Sequence, residues 1–181
     1  RVFDQTWSLP AVDVATGRFF VGNNDIPDFA FPNTFAFDGQ GREVWNANVL
    51  GSIAASPLLY NNAMFVGGYN GTLNAYNQAD GNLLWSFDTR DHIYSSPALS
   101  QSNMIIQASA DGTVYGINPA NGEAVWAYDW GAPIRSSPAV DGAGNIYMGT
   151  GDGHLLVLND DGTMRWAMKL IQDDRDDLNA S

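Results

Sequence analysis

Short apolar runs alternate with clusters of Gly, Asn, Asp and Pro along nearly the whole chain, and the runs have the length and the branched or aromatic content of β-strands. One stretch shows the pattern clearly. Pro97-Ala98-Leu99 opens a strand, and Met104-Ile105-Ile106-Gln107-Ala108 reads as a second. Asp111-Gly112 makes a tight turn into Thr113-Val114-Tyr115-Gly116-Ile117, and Pro119-Ala120-Asn121-Gly122 turns again into Glu123-Ala124-Val125-Trp126-Ala127. The next stretch repeats it, with Ile146 to Thr150, a turn at Asp152-Gly153, Leu155 to Leu158, a turn at Asp160-Asp161-Gly162 and a strand through Trp166. No window carries a convincing helical period.

Tryptophan sets the repeat. Trp45, Trp85, Trp126 and Trp166 are 40, 41 and 40 residues apart, each with a glycine four positions earlier: Gly41, Gly81, Gly122 and Gly162. A second marker follows the first three by about ten residues: Ala55-Ser56-Pro57, Ser95-Ser96-Pro97 and Ser136-Ser137-Pro138. Four antiparallel strands in one such period make a β-propeller blade. The expected fold is therefore all-β, a propeller of about four blades near 7–48, 53–89, 93–130 and 134–170, with 171–181 starting another blade or forming a linker. Four blades make about half of a seven- or eight-bladed ring. Either the segment belongs to a longer polypeptide, or several chains close the ring together.

The first unit departs from the others. Its Pro10-to-Pro57 spacing is 47 residues against 40 and 41 later, and the excess lies in a loop from about Asn23 to Pro32. Loops that outgrow a tight repeat are common places for function.

Composition narrows the functional classes. The net charge is −12, with one lysine, seven arginines and no basic stripe, which argues against binding a phosphate backbone. Eighteen of the twenty acidic residues are Asp, many beside Gly, as turn chemistry requires. No cysteine is present, which removes disulfides, thiolate metal sites and cysteine nucleophiles from these residues. No apolar run approaches the ~20 residues that span a bilayer.

The arrangement Ala-x-Asp…Gly-x-x-x-Trp followed by Ser-Ser-Pro-Ala resembles the tryptophan-docking repeat of the pyrroloquinoline-quinone (PQQ) family of quinoprotein dehydrogenases and their non-catalytic relatives. That resemblance implies that Trp45, Trp85, Trp126 and Trp166 are structural, each packed between neighbouring blades. It also implies that the strand after the Ser-Pro marker is innermost. The residues three before each marker proline, Trp7, Ala54, Tyr94 and Arg135, would then face the central channel. There Trp7 and Tyr94 could stack on a cofactor and Arg135 could pair with its carboxylate.

The stretch Trp7-Ser8-Leu9-Pro10-Ala11-Val12-Asp13 leading to Gly22-Asn23-Asn24-Asp25 is similar to the part of quinoprotein alcohol dehydrogenases that binds calcium beside PQQ, which points to Asn24 and Asp25 as metal ligands. The departures are Asn24 at the second glycine and a proline displaced to Pro27. The vicinal disulfide and the catalytic-aspartate motif of those enzymes have no counterpart. Asp173-Asp174-Arg175-Asp176-Asp177 reads as a solvated linker or a calcium loop, and His92 and His154 as surface residues.

Structural motifs kept alongside weakened catalytic ones imply a non-catalytic binding or assembly platform outside the cytoplasm, with a protein partner or further blades and no cofactor. The propeller lipoprotein of the outer-membrane assembly machinery is a relative of this kind. The alternatives are a segment of a PQQ- and Ca²⁺-dependent alcohol dehydrogenase, or a sensor or extracellular module of a larger chain.

Overall fold

A computed structural model describes residues 6–24, 32–49 and 51–170. Among them are four antiparallel four-stranded sheets and no helix. Each sheet is a meander. Blade 1 runs β1 (Ala11–Asp13), β2 (Arg18–Gly22), β3 (Thr34–Phe37), β4 (Glu43–Ala47), and blade 2 runs β5 (Leu58–Tyr60), β6 (Ala63–Gly67), β7 (Thr72–Asn77), β8 (Leu83–Asp88). Blade 3 has β9 (Ala98–Leu99), β10 (Ile105–Ala108), β11 (Thr113–Ile117), β12 (Ala124–Asp129), and blade 4 has β13 (Ala139–Val140), β14 (Ile146–Gly149), β15 (His154–Leu158), β16 (Met164–Lys169). The first strands of successive blades meet, β1 with β5 and β9 with β13, and the four blades do not close into a ring.

The core lies between sheets, because alternate side chains of a strand point to opposite faces and an inner blade is covered on both. Phe20, Ala36 and Trp45 meet Met64, Val66 and Tyr76 between blades 1 and 2. Phe65, Leu73 and Ala75 meet Ile105, Tyr115 and Ile117 at the next boundary, and Ile106, Ala108 and Val114 meet Ile146, Met148, Leu156 and Leu158 at the third. Burial on both faces is why the second and third strands read as continuous apolar runs instead of alternating ones.

The repeated tryptophans cross these boundaries. Trp45 Nε1 donates to Gln78 O at 2.9 Å, Trp85 Nε1 to Pro119 O at 3.0 Å and Trp126 Nε1 to Asp160 O at 3.1 Å, in each case on the following blade. Each indole also covers the glycine of that blade's last turn. A Cβ at Gly81 would come within 2.7 Å of the Trp45 ring, and one at Gly122 within 2.6 Å of the Trp85 ring. Both glycines have φ above +70°, so no larger residue would suit the turn or the contact. Within its own blade each of the three indoles sits opposite a small residue: Ala36, Ala75 or Gly116.

A β-bulge recurs just before each tryptophan, at Ala36/Phe37, Ala75/Tyr76, Gly116/Ile117 and Val157/Leu158. Val44, Leu84, Val125 and Arg165 are the extra residues, left without a partner in the ladder. That explains why three apolar residues next to docked indoles are exposed: the bulge turns them outward.

The Ser-Pro markers form a relay along the inner strands. Leu9 N donates to Ser56 Oγ at 2.8 Å, Ser56 N to Ser96 Oγ at 2.8 Å and Ser96 N to Ser137 Oγ at 3.0 Å, so each blade accepts from the one before. The preceding marker serine works inside its blade: Ser8 and Ser136 hydroxyls bond Gly22 and Gly149.

Turn carboxylates cap backbone N–H groups. Asp141 is the most heavily engaged. It accepts from the Asn145 side-chain amide at 2.7 Å, the Asn145 N–H at 2.8 Å, the Tyr147 hydroxyl at 2.9 Å and the Ala143 N–H at 2.9 Å. The Asn145 bonds above all, with those from Tyr147 and Ala143, take its carboxyl from the ordinary 3.8 down to about 2. A carboxylate whose folded value is depressed contributes stability above its unfolded value and loses it as pH falls through the folded one. Asp141→Ala should therefore lower the melting temperature at neutral pH, and the gap to wild type should close between about pH 4 and pH 2. A gap independent of pH would show that the carboxylate charge is not what matters.

Candidate functional site

In blades 2, 3 and 4 the turn between the second and third strands is tied to the connection that enters the blade. Tyr69 N donates to Ser52 O at 2.9 Å, Ala110 N to His92 O at 3.0 Å and Gly151 N to Pro133 O at 2.7 Å. The turns and the inter-blade connections are thus gathered at one end of the arc. These are the segments freest to vary in a propeller, since the strands are committed to packing.

The densest functional chemistry at this end lies between blades 2 and 3. Tyr69, from the β6–β7 turn, packs on Tyr94 with ring centroids 4.8 Å apart, and on His92 at 5.8 Å. His92 and Tyr94 are stacked at 6.0 Å, and the Arg135 guanidinium lies 5.5 Å from the Tyr94 ring centre. The group joins four side chains from three segments, with His92 and Arg135 exposed and both tyrosines half-buried. Asp91 completes it, its Oδ1 2.7 Å from His92 Nδ1. The His92 N–H first and its ring second hold the Asp91 carboxyl below the usual range, with Arg135 adding to the effect. Burial, then Tyr94, pushes the Tyr69 hydroxyl up.

Of the channel-facing residues expected from sequence, Tyr94 and Arg135 come together here. Trp7 does not join them: it stands 55% exposed before β1, with the half-buried Ala54 at the intervening position. Sequence reasoning missed Tyr69, although a signal existed. In the aligned turns the residue two before the glycine is Tyr69, Ala110 or Gly151, so a large ring replaces a small residue in one column. His92, read as a surface residue, keeps an exposed side chain but belongs to the cluster.

His154 behaves differently from the surface residue expected. Its side chain is only 25% exposed, lies 3.1 Å from Asp152 Oδ2 and packs edge-on against Trp130 at 5.2 Å. Trp130 Nε1 donates to Asp152 Oδ1 at 3.0 Å, and Thr150 Oγ1 also donates to it. Burial works to raise the Asp152 carboxyl, but the bonds from Thr150 and Trp130, with the His154 ring close by, outweigh it and leave it lowered. A sequence turn has become a small aromatic–carboxylate latch.

At the candidate metal position, Asn24 is buried and its Oδ1 has no hydrogen-bond partner among the described residues. Asp25 and the acidic run from Asp173 to Asp177 lie outside the described residues. Among those described, no group of three or more His or acidic side chains converges as a cation site. One buried amide oxygen suits a hard cation but does not enclose it. The loop carrying it is anchored by Asn33, whose Nδ2 donates to Val49 O and Gly51 O and whose Oδ1 accepts from Val49 N, all at 2.7 Å. Ile53 N bonds Asn23 O across the boundary at 3.2 Å.

The family model described as outer membrane protein assembly factor BamB matches residues 8–109 and 30–179. The chain belongs to this PQQ-repeat propeller family. Among solved structures it is similar to BamB from Moraxella catarrhalis, with a TM-score of 0.78 at 19% identity, covering 92% of this chain and 51% of that one. It is similar also to the computationally designed Ika8 protein (0.73, 18%, covering 87% and 48%) and to quinohemoprotein alcohol dehydrogenase ADHIIG from Pseudomonas putida HK5 (0.77, 15%, covering 93% and 34%). The chain therefore spans about half the length of the first of these or less, and at such identities the likeness is one of fold. No curated protein matches.

Proposed function

We propose that this PQQ-repeat propeller is a binding or assembly platform that works outside the cytoplasm, with the loop end between blades 2 and 3 as its contact surface. The observation that carries the reading is the cluster Tyr69, His92, Tyr94 and Arg135. Tyrosine and arginine are enriched in the energetic centres of protein interfaces, because the tyrosine ring combines large area with a polar tip and few rotatable bonds, and the arginine head is a planar fork of donors that stacks on rings. Here the rings support one another and Arg135 rests on one of them, so little ordering remains to be done on binding. The match to a family described as an outer membrane protein assembly factor supports an envelope setting. Capture from an envelope extract tests this. The native chain should retain a defined partner, and Tyr94→Ala with Arg135→Glu should lose it while melting within a few degrees of wild type. Equal capture by both chains would move the contact elsewhere, and no partner at all would remove the reading.

A second reading, a segment of a PQQ- and Ca²⁺-dependent alcohol dehydrogenase, is favoured by the buried, unpartnered Asn24 oxygen and by the fold likeness to ADHIIG. In it Asn24 would contribute to a Ca²⁺ site, and the cation would polarise the quinone. PQQ with Ca²⁺ at about 100 times their dissociation constant should then stabilise the chain by about 2.7 kcal/mol. The platform reading expects no shift.

A further inference from the structure

At the end of the arc opposite the Tyr69 cluster, the turns joining first to second and third to fourth strands lie along each blade boundary. The position at the start of the second strand is Arg18, Ala63 or Met104 in blades 1 to 3, by the register of the inner strand pairs. Across each boundary stands the carbonyl that accepts from the docked indole: Gln78 O, Pro119 O or Asp160 O.

Between blades 1 and 2 the chain fills this place itself. Arg18 Nη1 donates to Gln78 O at 3.2 Å and to Ala79 O at 3.3 Å, so a guanidinium and an indole share one carbonyl. At the next two boundaries the side chain is shorter, and each holds a groove. The groove between blades 2 and 3, of about 360 Å³, is lined by Tyr60, Phe65, Leu84 and Pro119 among others and by no charged residue. The one between blades 3 and 4, of about 400 Å³, joins an apolar wall of Met104, Val125 and Trp126 to two carboxylates, Asp160 and Asp161.

Asp160 Oδ2 accepts from Ser102 N at 2.9 Å, but its Oδ1 is shielded from solvent and has no hydrogen-bond partner among the described residues. Neither carboxylate is in an ion pair among those residues. Val125, turned outward by the bulge, is 61% exposed at the lip, and Trp126 is half-buried. A long cationic side chain suits both halves of the groove: its methylenes cover the apolar wall while its head neutralises the carboxylates. Arginine suits it better than lysine, because a planar fork of donors can reach a carbonyl and a carboxylate together, much as Arg18 spans two carbonyls.

We propose that the groove between blades 3 and 4 takes an arginine side chain of a partner protein, carried in an apolar stretch that covers Val125. The net charge of −12 favours a basic partner. The groove shares no residue with the Tyr69 cluster, so either surface can fail its test without the other.

Nuclear magnetic resonance titration of the isotope-labelled chain with the capped peptide Ala-Leu-Arg-Leu-Ala, at millimolar concentration, tests this. The amide peaks of Ser102 and Val125 and the Trp126 indole N–H should shift, and those of Tyr60, Phe65 and Leu84 in the uncharged groove should stay. The same peptide with citrulline for arginine, alike in shape but neutral, should bind about tenfold more weakly. Asp160→Asn, which keeps an acceptor for Ser102 N, should weaken the arginine peptide by a similar factor. Met104→Arg should fill the groove from within, as Arg18 does at the first boundary, and abolish binding. Equal binding of the two peptides, shifts centred outside the groove, or full binding by either variant would overturn the proposal. So would arginine amide alone binding as tightly as the peptide, which would make the groove a site for small cations.

Discussion

Trp45→Ala should destabilise the chain by about 3–5 kcal/mol, the largest effect expected from any single truncation in the repeat. The indole is 7% exposed, packs on Phe20 and Tyr76 at centroid distances of 5.8 and 6.4 Å, covers the Gly81 turn and donates to Gln78 O. Its removal opens a void that backbone on both sides cannot fill, since the Ala36 seat and the Gly81 turn carry no side chain long enough to move in. Trp45→Phe separates the two contributions. It keeps most of the packing and loses the hydrogen bond, at about 1 kcal/mol. Trp166→Ala should cost less, about 1 kcal/mol, because among the described residues that ring packs on its own blade, through Tyr147 at 6.4 Å, and on no neighbouring one. Urea unfolding of the three variants decides the matter. Equal losses at Trp45 and Trp166 would show that the boundary contact is not the source of the stability.

Asn33→Ala should cost about 2–4 kcal/mol, although Asn33 belongs to no repeat marker. The side chain is 3% exposed and satisfies three backbone groups that water cannot reach easily: Val49 N, Val49 O and Gly51 O. In the other blades a tight Asn-Gly or Asp-Gly turn does the corresponding work, with Thr89 N, Trp130 N and Leu170 N donating to Gly71 O, Gly112 O and Gly153 O. The longer first-blade loop has lost that turn, and the Asn33 amide takes its place. Asn33→Asp sharpens the test. An ionised carboxylate there still accepts from Val49 N but faces two carbonyl oxygens, so its folded pKa would be raised above the unfolded ~3.9. A raised value means the variant is most stable below that pH and loses stability as pH rises toward neutrality. Melting temperatures of Asn33→Asp and wild type should therefore diverge between about pH 4 and pH 7. Parallel curves would mean that the amide donors are not engaged.

The repeat was legible because two markers, Gly-x-x-x-Trp and Ser-Ser-Pro, recur in phase with a strand pattern, and each is a local requirement of the same interface. A glycine is needed where an indole presses on a turn, as at Gly81 and Gly122, and a tryptophan is needed to reach from one sheet to the next. Strand identity, blade order and the location of the core follow from such local rules. The site was only half legible. Tyr94 and Arg135, which enter adjacent blades, could be placed by counting back from the marker proline, but Trp7, placed by the same count, enters blade 1 and is separated from them by the Ala54 position. Tyr69 reaches His92 and Tyr94 from a turn more than twenty positions earlier in the chain, and Asn33 acts through backbone groups sixteen and eighteen positions away.

By itself, then, the order of residues determined a period, a strand pattern and an acidic, cysteine-free composition, since each depends on neighbours close along the chain or on simple counts. Only the tertiary structure decided which indoles are covered, which glycine turns they press on and which side chains share the loop end. Those outcomes depend on how sheets are placed around an axis, and contacts between blades join residues some forty positions apart whose meeting no local pattern encodes.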